Sequence, residues 1–218
     1  MSFDESTVLA VAWDLLDDRG LEAFTLGELA DRLGASQMAV YEHFGSRGTV
    51  VDLLADDLLT RIRWDDPDQV TDPDERILGY ALRAREVLLD HPELVPVIAA
   101  RPMVRETRAD DLVRLHASFA EAGFPEDRIV PSILSLVSVT VGLVLFEQQR
   151  RVVEREGPSY RSERATLRDE VGSRPDVARA VPEIVDHFAD SDGGATVFES
   201  SVRDCYLGLK RRAGLPVD

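Results

Sequence analysis

A short stretch near the amino terminus carries side chains of the kinds that contact nucleic acid. Residues 25–47 read TLGELADRLGASQMAVYEHFGSR. Helical spacing over 37–44 turns Gln37, Met38, Glu42 and His43 outward and leaves Tyr41 at the margin of that face. This combination suits a helix that lies on a DNA backbone. Whether this helix can reach DNA depends on the elements that hold it in place.

The residues before this helix predict a second short helix and a tight turn. Thr25, followed three residues later by Glu28, forms a capping box, which starts a helix by satisfying free backbone amides. Residues 34–36, Gly-Ala-Ser, then break the run, because glycine allows the angles of a sharp turn and serine can cap the next helix. The helix over 37–44 comes next, with Val40 on its buried side. This is the geometry of a helix-turn-helix; an ordinary helical hairpin that touches no nucleic acid is the alternative.

Residues 6–59 resemble the DNA-binding domain of the TetR family of bacterial transcriptional regulators. The resemblance rests on a first helix, a capped second helix and a glycine turn, and on the ending Tyr41-Glu42-His43-Phe44 with Gly45-Ser46-Arg47 after it. That ending is similar to the family's Y-x-H-F-x-x-K pattern. Arg47 stands where the family usually has lysine, which keeps the charge but not its geometry.

The resemblance implies DNA contacts for the exposed residues of this motif. Gln37 would reach a base edge, and a glutamine can bond both N6 and N7 of adenine. Met38 would pack on a thymine methyl group, beside the small Ala39. Contacts that set position on the phosphates would come from Thr25, Tyr41, His43 and Arg47. Two alternatives stay open: Tyr41 as a packing residue and His43 as a cap of its helix.

The net charge of −16 argues against DNA binding, because phosphate contacts supply most of the affinity for nucleic acid. Residues 1–60 hold twelve acidic residues against three arginines, a balance of −9. Residues 25–47 hold only three acids and two bases, so the docking face is near neutral. Salt screens charges beyond about 8 Å under physiological conditions. The acidity therefore predicts weak non-specific binding rather than none.

Other sequence features favour a cytoplasmic protein without cofactor or metal. Cys205 is the only cysteine, which excludes an intrachain disulfide and a thiolate zinc site. The first ten residues, MSFDESTVLA, lack the basic-then-apolar layout of a signal peptide. No Gly-rich phosphate loop, H-E-x-x-H or G-x-S-x-G is present, so we expect no enzyme. His187, beside Asp186 and Asp190, is better explained by a solvated helix face than by a metal.

Apolar periodicity predicts an all-α protein of two domains. A first helix ends at Gly20, and a connecting helix follows the helix-turn-helix to about Trp64, with Val50, Leu53, Leu54, Asp57 and Leu58 on its repeat. Polar linkers then separate a DNA-binding domain with its connecting helix, residues 1–64, from a ligand-binding and dimerisation domain, residues 65–218. Helical patterns follow at 73–90, 92–100, 102–122, 126–153, 176–190 and 194–212, with a loop over 157–175.

The segment Ile129–Phe146 holds no charged residue and reaches the lower length limit of a membrane-spanning helix. Pro131, Gly142 and several hydroxyl side chains oppose insertion, and a helix that is apolar on all sides can instead be buried. We expect a homodimer through the helices near 129–150 and 194–212, as a four-helix bundle without membrane contact. Reading two DNA half-sites requires such a two-fold dimer.

The second domain resembles the tetracycline-repressor branch of the family, through LLDHPELVPVIAARP (88–102) and TVGLVLFEQQ (140–149). That branch binds magnesium–tetracycline through a histidine and a glutamate, where this chain has Val97 and Phe146. Apolar side chains cannot ligate a hard cation, so we expect a metal-free pocket and a ligand with a substantial apolar body. The candidate pocket residues are Trp64, Val97, Met103, His116, Phe119, Thr140 and Phe146.

Two functions follow from the sequence. The first is a ligand-responsive transcriptional regulator, in the first place a repressor, which binds a palindromic double-stranded DNA operator as a homodimer and is released by a small-molecule effector. The alternative, motivated by the −9 balance over residues 1–60, is a small-molecule-binding protein or enzyme on the same scaffold that has lost DNA binding.

Overall fold

The computed structural model describes residues 4–65, 69–100, 109–156 and 193–217, except for the side chains of 150–156 and 193. Every regular element within these ranges is helical, which confirms the all-α prediction. The helices are α1 (Glu5–Ala23), α2 (Leu26–Leu33), α3 (Gln37–Phe44), α4 (Arg47–Thr60), α5 (Pro73–Asp90), a 3-10 turn (Pro92–Leu94), α6 (Val95–Ala99), α7 (Ala109–Glu121), α8 (Glu126–Glu156) and α9 (Gly193–Arg212). The predicted helix 176–190, the loop 157–175, Met103 and His187 lie outside the described residues.

Each of the first four helices begins at a side-chain cap of the same kind. Asp4, Thr25, Ser36 and Ser46 each accept a bond of 3.2 Å from the backbone N–H three residues on. Such a cap satisfies an amide that the helix itself leaves open, and its loss costs about 1 kcal/mol. The caps at Thr25 and Ser36 confirm the predicted starts of the two helices of the helix-turn-helix.

Two glycines shape the chain at the predicted breaks. Gly34 lies in the left-handed region with φ 63° and ψ 30°, which ends α2 and turns the chain toward α3. Gly20, with φ 71° and ψ 168°, interrupts the regular helical angles of α1, and one more turn carries the element to Ala23. A side chain would strain the backbone at either position.

Two predicted helices end or divide earlier than their apolar patterns indicated. The connecting helix α4 ends at Thr60 rather than near Trp64, because the N–H groups of Arg61 and Ile62 bond the carbonyls of Leu58 and Leu59 in tight i→i+3 turns. The predicted helix over 92–100 is a 3-10 turn followed by the short α6. Pro96 lacks the N–H that a continuous helix would need there.

The chain divides into two compact units, the first formed by residues 1–65 and 83–114 and the second by 66–82 and 115–218. The core of the first unit is drawn from α1 to α4, the 3-10 turn and α6. Its fully buried side chains include Val8, Leu15, Leu16, Phe24, Leu29, Val40, Leu54, Leu58 and Leu94.

In the second unit α8 packs along α9. The facing residues are apolar and buried: Ile129, Ile133, Leu136 and Val144 on α8, and Phe198, Val202, Tyr206 and Leu209 on α9. Residues Glu126–Gln149 are long and apolar enough to cross a membrane by length and composition, and 33% of that window is buried within the protein. A core helix of a soluble protein meets the same criterion, and the packing against α9 gives these residues such a role.

Buried polar contacts tie α5 to its neighbours in the second unit. Arg76 is 7% exposed and pairs with Glu121 of α7. Asp74, in the first turn of α5, accepts a hydrogen bond of 2.7 Å from the Tyr206 hydroxyl and pairs with Lys210, both on α9. Bonds to a charged partner are about twice as strong as neutral ones, so this network fixes the start of α5.

Candidate nucleic-acid interface

Helix α3 presents one buried face and one exposed face, as its sequence predicted. Val40 and Phe44 are buried beneath it. The outer face consists of Gln37, Met38, Tyr41, Glu42 and His43, all exposed. Met38 is 66% exposed and Tyr41 59%, among the most exposed large hydrophobic side chains described. The side chains of Met38 and Tyr41 are therefore exposed to solvent on a helix of eight residues.

Thr25 closes the start of α2 with half of the expected capping box. Its Oγ1 accepts from the N–H of Glu28 at 3.2 Å. The Glu28 carboxylate pairs with Arg19 of α1 at 3.1 Å, so the carboxylate is engaged away from the cap. A hydroxyl that accepts one bond keeps its hydrogen, and the exposed Thr25 can donate it to a phosphate oxygen.

Arg47, the first residue of α4, reaches back to the end of α1. Its Nε donates to the carbonyl of Phe24 at 2.7 Å, and its Nη2 donates to the carbonyl of Leu21. A guanidinium has five N–H donors in a fixed fork, so two are engaged inside the protein. Arg47 thus sets the position of α4 against α1 while its charge stays at an exposed residue.

The other two predicted contacts on α3 differ in their surroundings. The exposed His43 ring packs edge-on against Phe44, with ring centroids 4.6 Å apart. Ala39 is half-buried, and its N–H donates to the Ser36 cap. The His43 ring is therefore held by packing against Phe44, whereas Ala39 contributes a small surface next to Met38.

Ion pairs with α1 offset part of the charge on the helix-turn-helix. Glu28 pairs with Arg19, and Arg32 pairs with Asp18 at 2.7 Å. Each pair is neutral as a unit, although exposed pairs contribute only about 0–1 kcal/mol to stability. The pairs leave two carboxylates, Asp31 and Glu42, against the Arg47 charge, which keeps the docking face close to neutral.

A polar and aromatic cluster joins α1 to α4, and the sequence did not predict it. The Trp13 indole Nε1 donates to Asp57 Oδ2 at 2.8 Å. Arg61 pairs with the same oxygen at 3.0 Å, and its guanidinium carbon lies 4.0 Å from the centre of the indole ring. Cation–π contact of this kind contributes about 0.5–2 kcal/mol. The available signal was Asp57, a carboxylate within an apolar helical repeat.

His91, just before the 3-10 turn, completes this cluster. Its ring centroid lies 4.5 Å from that of Trp13. Its Nδ1 is 3.4 Å from Glu93 Oε1 and 3.9 Å from Asp17 Oδ1. The Trp13 cluster, defined as Trp13, Asp57, Arg61 and His91, thus connects three elements of the first unit.

The candidate effector residues are distributed over both units. In the first unit, Trp64 Nε1 donates to Asp111 Oδ1 at 2.8 Å, and Val97 is half-buried on α6. In the second, Phe119 is fully buried in edge contact with Phe124 and Tyr206. The three others there are His116, 3.4 Å from Glu126, the buried Thr140, and Phe146, which is 54% exposed. Their role in effector binding stays a prediction.

Among the described residues no group of three or more His, Cys, Asp or Glu side chains could hold a metal ion. The side chains of Val97 and Phe146, which the sequence resemblance sets at the positions of a histidine and a glutamate, are hydrocarbon and supply no ligand atom.

Comparison with known proteins places both parts of the chain. Residues 8–53 match the family model "Bacterial regulatory proteins, tetR family", and residues 66–212 match "Tetracyclin repressor-like, C-terminal domain". The tetracycline repressor protein class A from transposon 1721 of Escherichia coli is 30% identical over 95% of this chain and 90% of its own length.

Solved structures share the fold. The Streptomyces coelicolor TetR family protein ActR in complex with (S)-DNPA has a TM-score of 0.79 at 21% identity, over 98% of this chain and 100% of that one. TetR from Acinetobacter baumannii has a TM-score of 0.67 at 26% identity, over 97% and 99%. The two domain matches span most of the sequence, and the chain belongs to the TetR family of transcriptional regulators.

Proposed function

We propose that the chain is a cytoplasmic, homodimeric repressor that binds a palindromic DNA operator through α3 and is released by a small, largely apolar effector. The observation that carries this proposal is the outer face of α3, where Met38 and Tyr41 are 66% and 59% exposed beside Gln37. Exposed apolar side chains on a short helix favour a contact outside the chain. In the major groove, Met38 meets thymine methyl groups and Gln37 meets adenine.

Phosphate contacts position the reading helix. Thr25 donates from the start of α2, where the helix dipole also favours an anion. Tyr41 and His43 would contact phosphates from the exposed face of α3, and Arg47 adds a positive charge at the start of α4. The small Ala39 lets the helix approach closely.

Dimerisation uses the side of α8 that α9 does not cover. Val130 and Leu134, one helical turn apart, are 54% and 46% exposed on this helix. Both belong to the uncharged run Ile129–Phe146. Two copies of α8 and α9 would cover these side chains in a four-helix bundle, with each surface patch meeting its own copy about a two-fold axis.

Release by an effector requires that the effector bind the released state more tightly than the DNA-bound state. The bundle would stay fixed while α4 swings. Because Trp13 is bonded to Asp57 and Arg47 to the end of α1, α1 moves with α4. This coupling would change the separation of the two α3 helices so that they no longer match two half-sites.

The effector would bind within residues 65–218, and Trp64 is a further predicted contact. Val97 and Phe146 favour a ligand that binds without a divalent cation and has a substantial apolar body. The other predicted contacts would come from Met103, His116, Phe119 and Thr140.

A DNA-binding titration tests this function. Fluorescence anisotropy with the DNA upstream of the chain's own gene, at about 50 and 200 mM salt, should show binding that weakens at the higher salt. An unrelated fragment of equal length is the control. If the dimer ignores all DNA at low salt, the chain is instead a small-molecule-binding protein or enzyme on this scaffold.

A further inference from the structure

The second residue of α2 is a glycine that the backbone does not require. Gly27 is absent from the glycines with positive φ, and it sits in a regular helical turn. A glycine in a helix is less favourable than alanine by up to about fivefold in the folding equilibrium. The local fold therefore gives no reason for glycine at this position.

The space above Gly27 is occupied by the side chain of Gln37. A Cβ atom built on Gly27 would lie 2.8 Å from Gln37 Nε2, 3.4 Å from Cδ and 3.9 Å from Oε1. Contacts below 3.0 Å do not occur between a Cβ and a heavy atom, so one group must move. The end of a glutamine is flexible, and the side chain would move rather than the two helices.

Packing against α2, without a hydrogen bond, positions the Gln37 amide. Within the described part of the chain no hydrogen bond involves this amide, so its two donors and its acceptor stay available. A long side chain such as glutamine loses much rotamer freedom when it is fixed in a complex. Resting against the backbone of α2 removes part of that freedom before DNA arrives, which favours binding.

We propose that Gly27 is a specificity-determining position, which acts by seating the Gln37 amide where it reads its base. This inference rests on the base contact given to Gln37 under the proposed function. Gly27 is a positioning residue in this assignment, since its missing side chain acts through Gln37.

The test compares Gly27→Ala with the unchanged dimer on the preferred operator and on operators that carry each other base at the position read by Gln37. We expect Gly27→Ala to fold with equal or greater stability, because alanine favours the helix. Affinity for the preferred base should fall by about tenfold, the scale of one bidentate base contact. Affinity for the three other bases should change little. The ratio of affinities between the preferred base and the others should therefore fall at that position alone.

Gly48→Ala is the matched control, since a Cβ there meets only Ser46 Oγ at an ordinary 3.5 Å. It should leave base preference unchanged. In a Gln37→Ala background, adding Gly27→Ala should have no further effect on preference. An equal loss in that background would overturn the inference, because Gly27 would then act without Gln37.

The outcomes separate the two claims. If Gln37→Ala leaves base preference intact, the base contact of the proposed function is wrong. If Gln37→Ala relaxes the preference but Gly27→Ala does not, only the positioning role of Gly27 is wrong.

Discussion

Trp13 and Asp57, 44 positions apart, are joined by a hydrogen bond of 2.8 Å between the indole Nε1 and Oδ2. The bond connects the first helix of the DNA-binding domain to the helix that leaves it. Arg61 and His91 pack on the same indole ring, at 4.0 and 4.5 Å. These contacts hold the first helix against the connecting helix.

Replacing the bonded indole tests this connection. Trp13→Phe keeps an aromatic ring but leaves Asp57 without its indole donor, and should lower the free energy of unfolding by about 1–3 kcal/mol. It should also weaken operator binding, because α1, which packs against α2 of the helix-turn-helix, is held less firmly against α4. Chemical denaturation and DNA titration measure the two effects.

Trp64→Phe supplies the control, since Trp64 makes the same kind of bond to Asp111 at 2.8 Å. It should cost similar stability with little change in DNA affinity. Equal losses of DNA affinity in both variants would show that Trp13 acts only through overall stability.

Arg47 combines a charge with a fixed geometry, and two substitutions separate them. Arg47→Ala should weaken binding to all DNA sequences and reduce the salt slope by about one unit. Arg47→Lys keeps the charge but cannot bond the Phe24 and Leu21 carbonyls with a planar fork. It should keep the salt slope and lose stability, as measured by anisotropy at several salt concentrations and by thermal unfolding. An unchanged salt slope in Arg47→Ala contradicts the phosphate contact.

Local hydrogen bonds account for the part of the fold that the sequence could predict. The caps at Thr25 and Ser36 join residues three apart, and Gly34 forms the turn between α2 and α3. The helix-turn-helix could therefore be predicted from residues close together in the sequence. The Trp13–Asp57 bond and the contact of Gln37 with Gly27 join residues distant in sequence. The end of α4 depends on i→i+3 bonds that an apolar repeat does not reveal. Which side chains bind an effector depends on packing between residues far apart in the chain, which local patterns do not reveal, so the effector residues stay a prediction.

A charged substitution tests whether the exposed side of α8 forms the dimer interface. Leu134 is 46% exposed, so Leu134→Glu should leave the fold of one chain intact and disrupt a dimer, since a buried unpaired carboxylate is strongly unfavourable. Sedimentation equilibrium should show a shift toward the monomer. Val113→Glu, at a residue 66% exposed on α7, should leave the mass of the dimer unchanged. A dimer that persists in Leu134→Glu would exclude this face.

The raised pKa of Tyr206 predicts that the protein loses stability in alkali. Burial, followed by the hydrogen bond to Asp74, raises the pKa of Tyr206 above its ordinary value of 10.0. The folded state therefore holds this proton more tightly than the unfolded state. Its contribution is fully present below pH 10, the ordinary value, and is lost as the pH rises above it.

Denaturation at a series of pH values from 8 upward, about two units either side of the ordinary tyrosine pKa, measures this effect. Tyr206→Phe should flatten the alkaline decline in the free energy of unfolding, whereas Tyr41→Phe, at an exposed tyrosine, should not. The same decline in Tyr206→Phe as in the unchanged chain would assign the alkaline loss to other groups.

Hydroxyl-radical footprinting on DNA selected by the chain from a random pool shows whether two copies of α3 read two half-sites. We expect two protected patches related by two-fold symmetry, with centres about 34–36 Å apart or a multiple of that spacing. In Gln37→Ala the patches should remain while the preference at one base pair in each half-site disappears. A single patch, or no DNA selected even at low salt, would contradict this expectation.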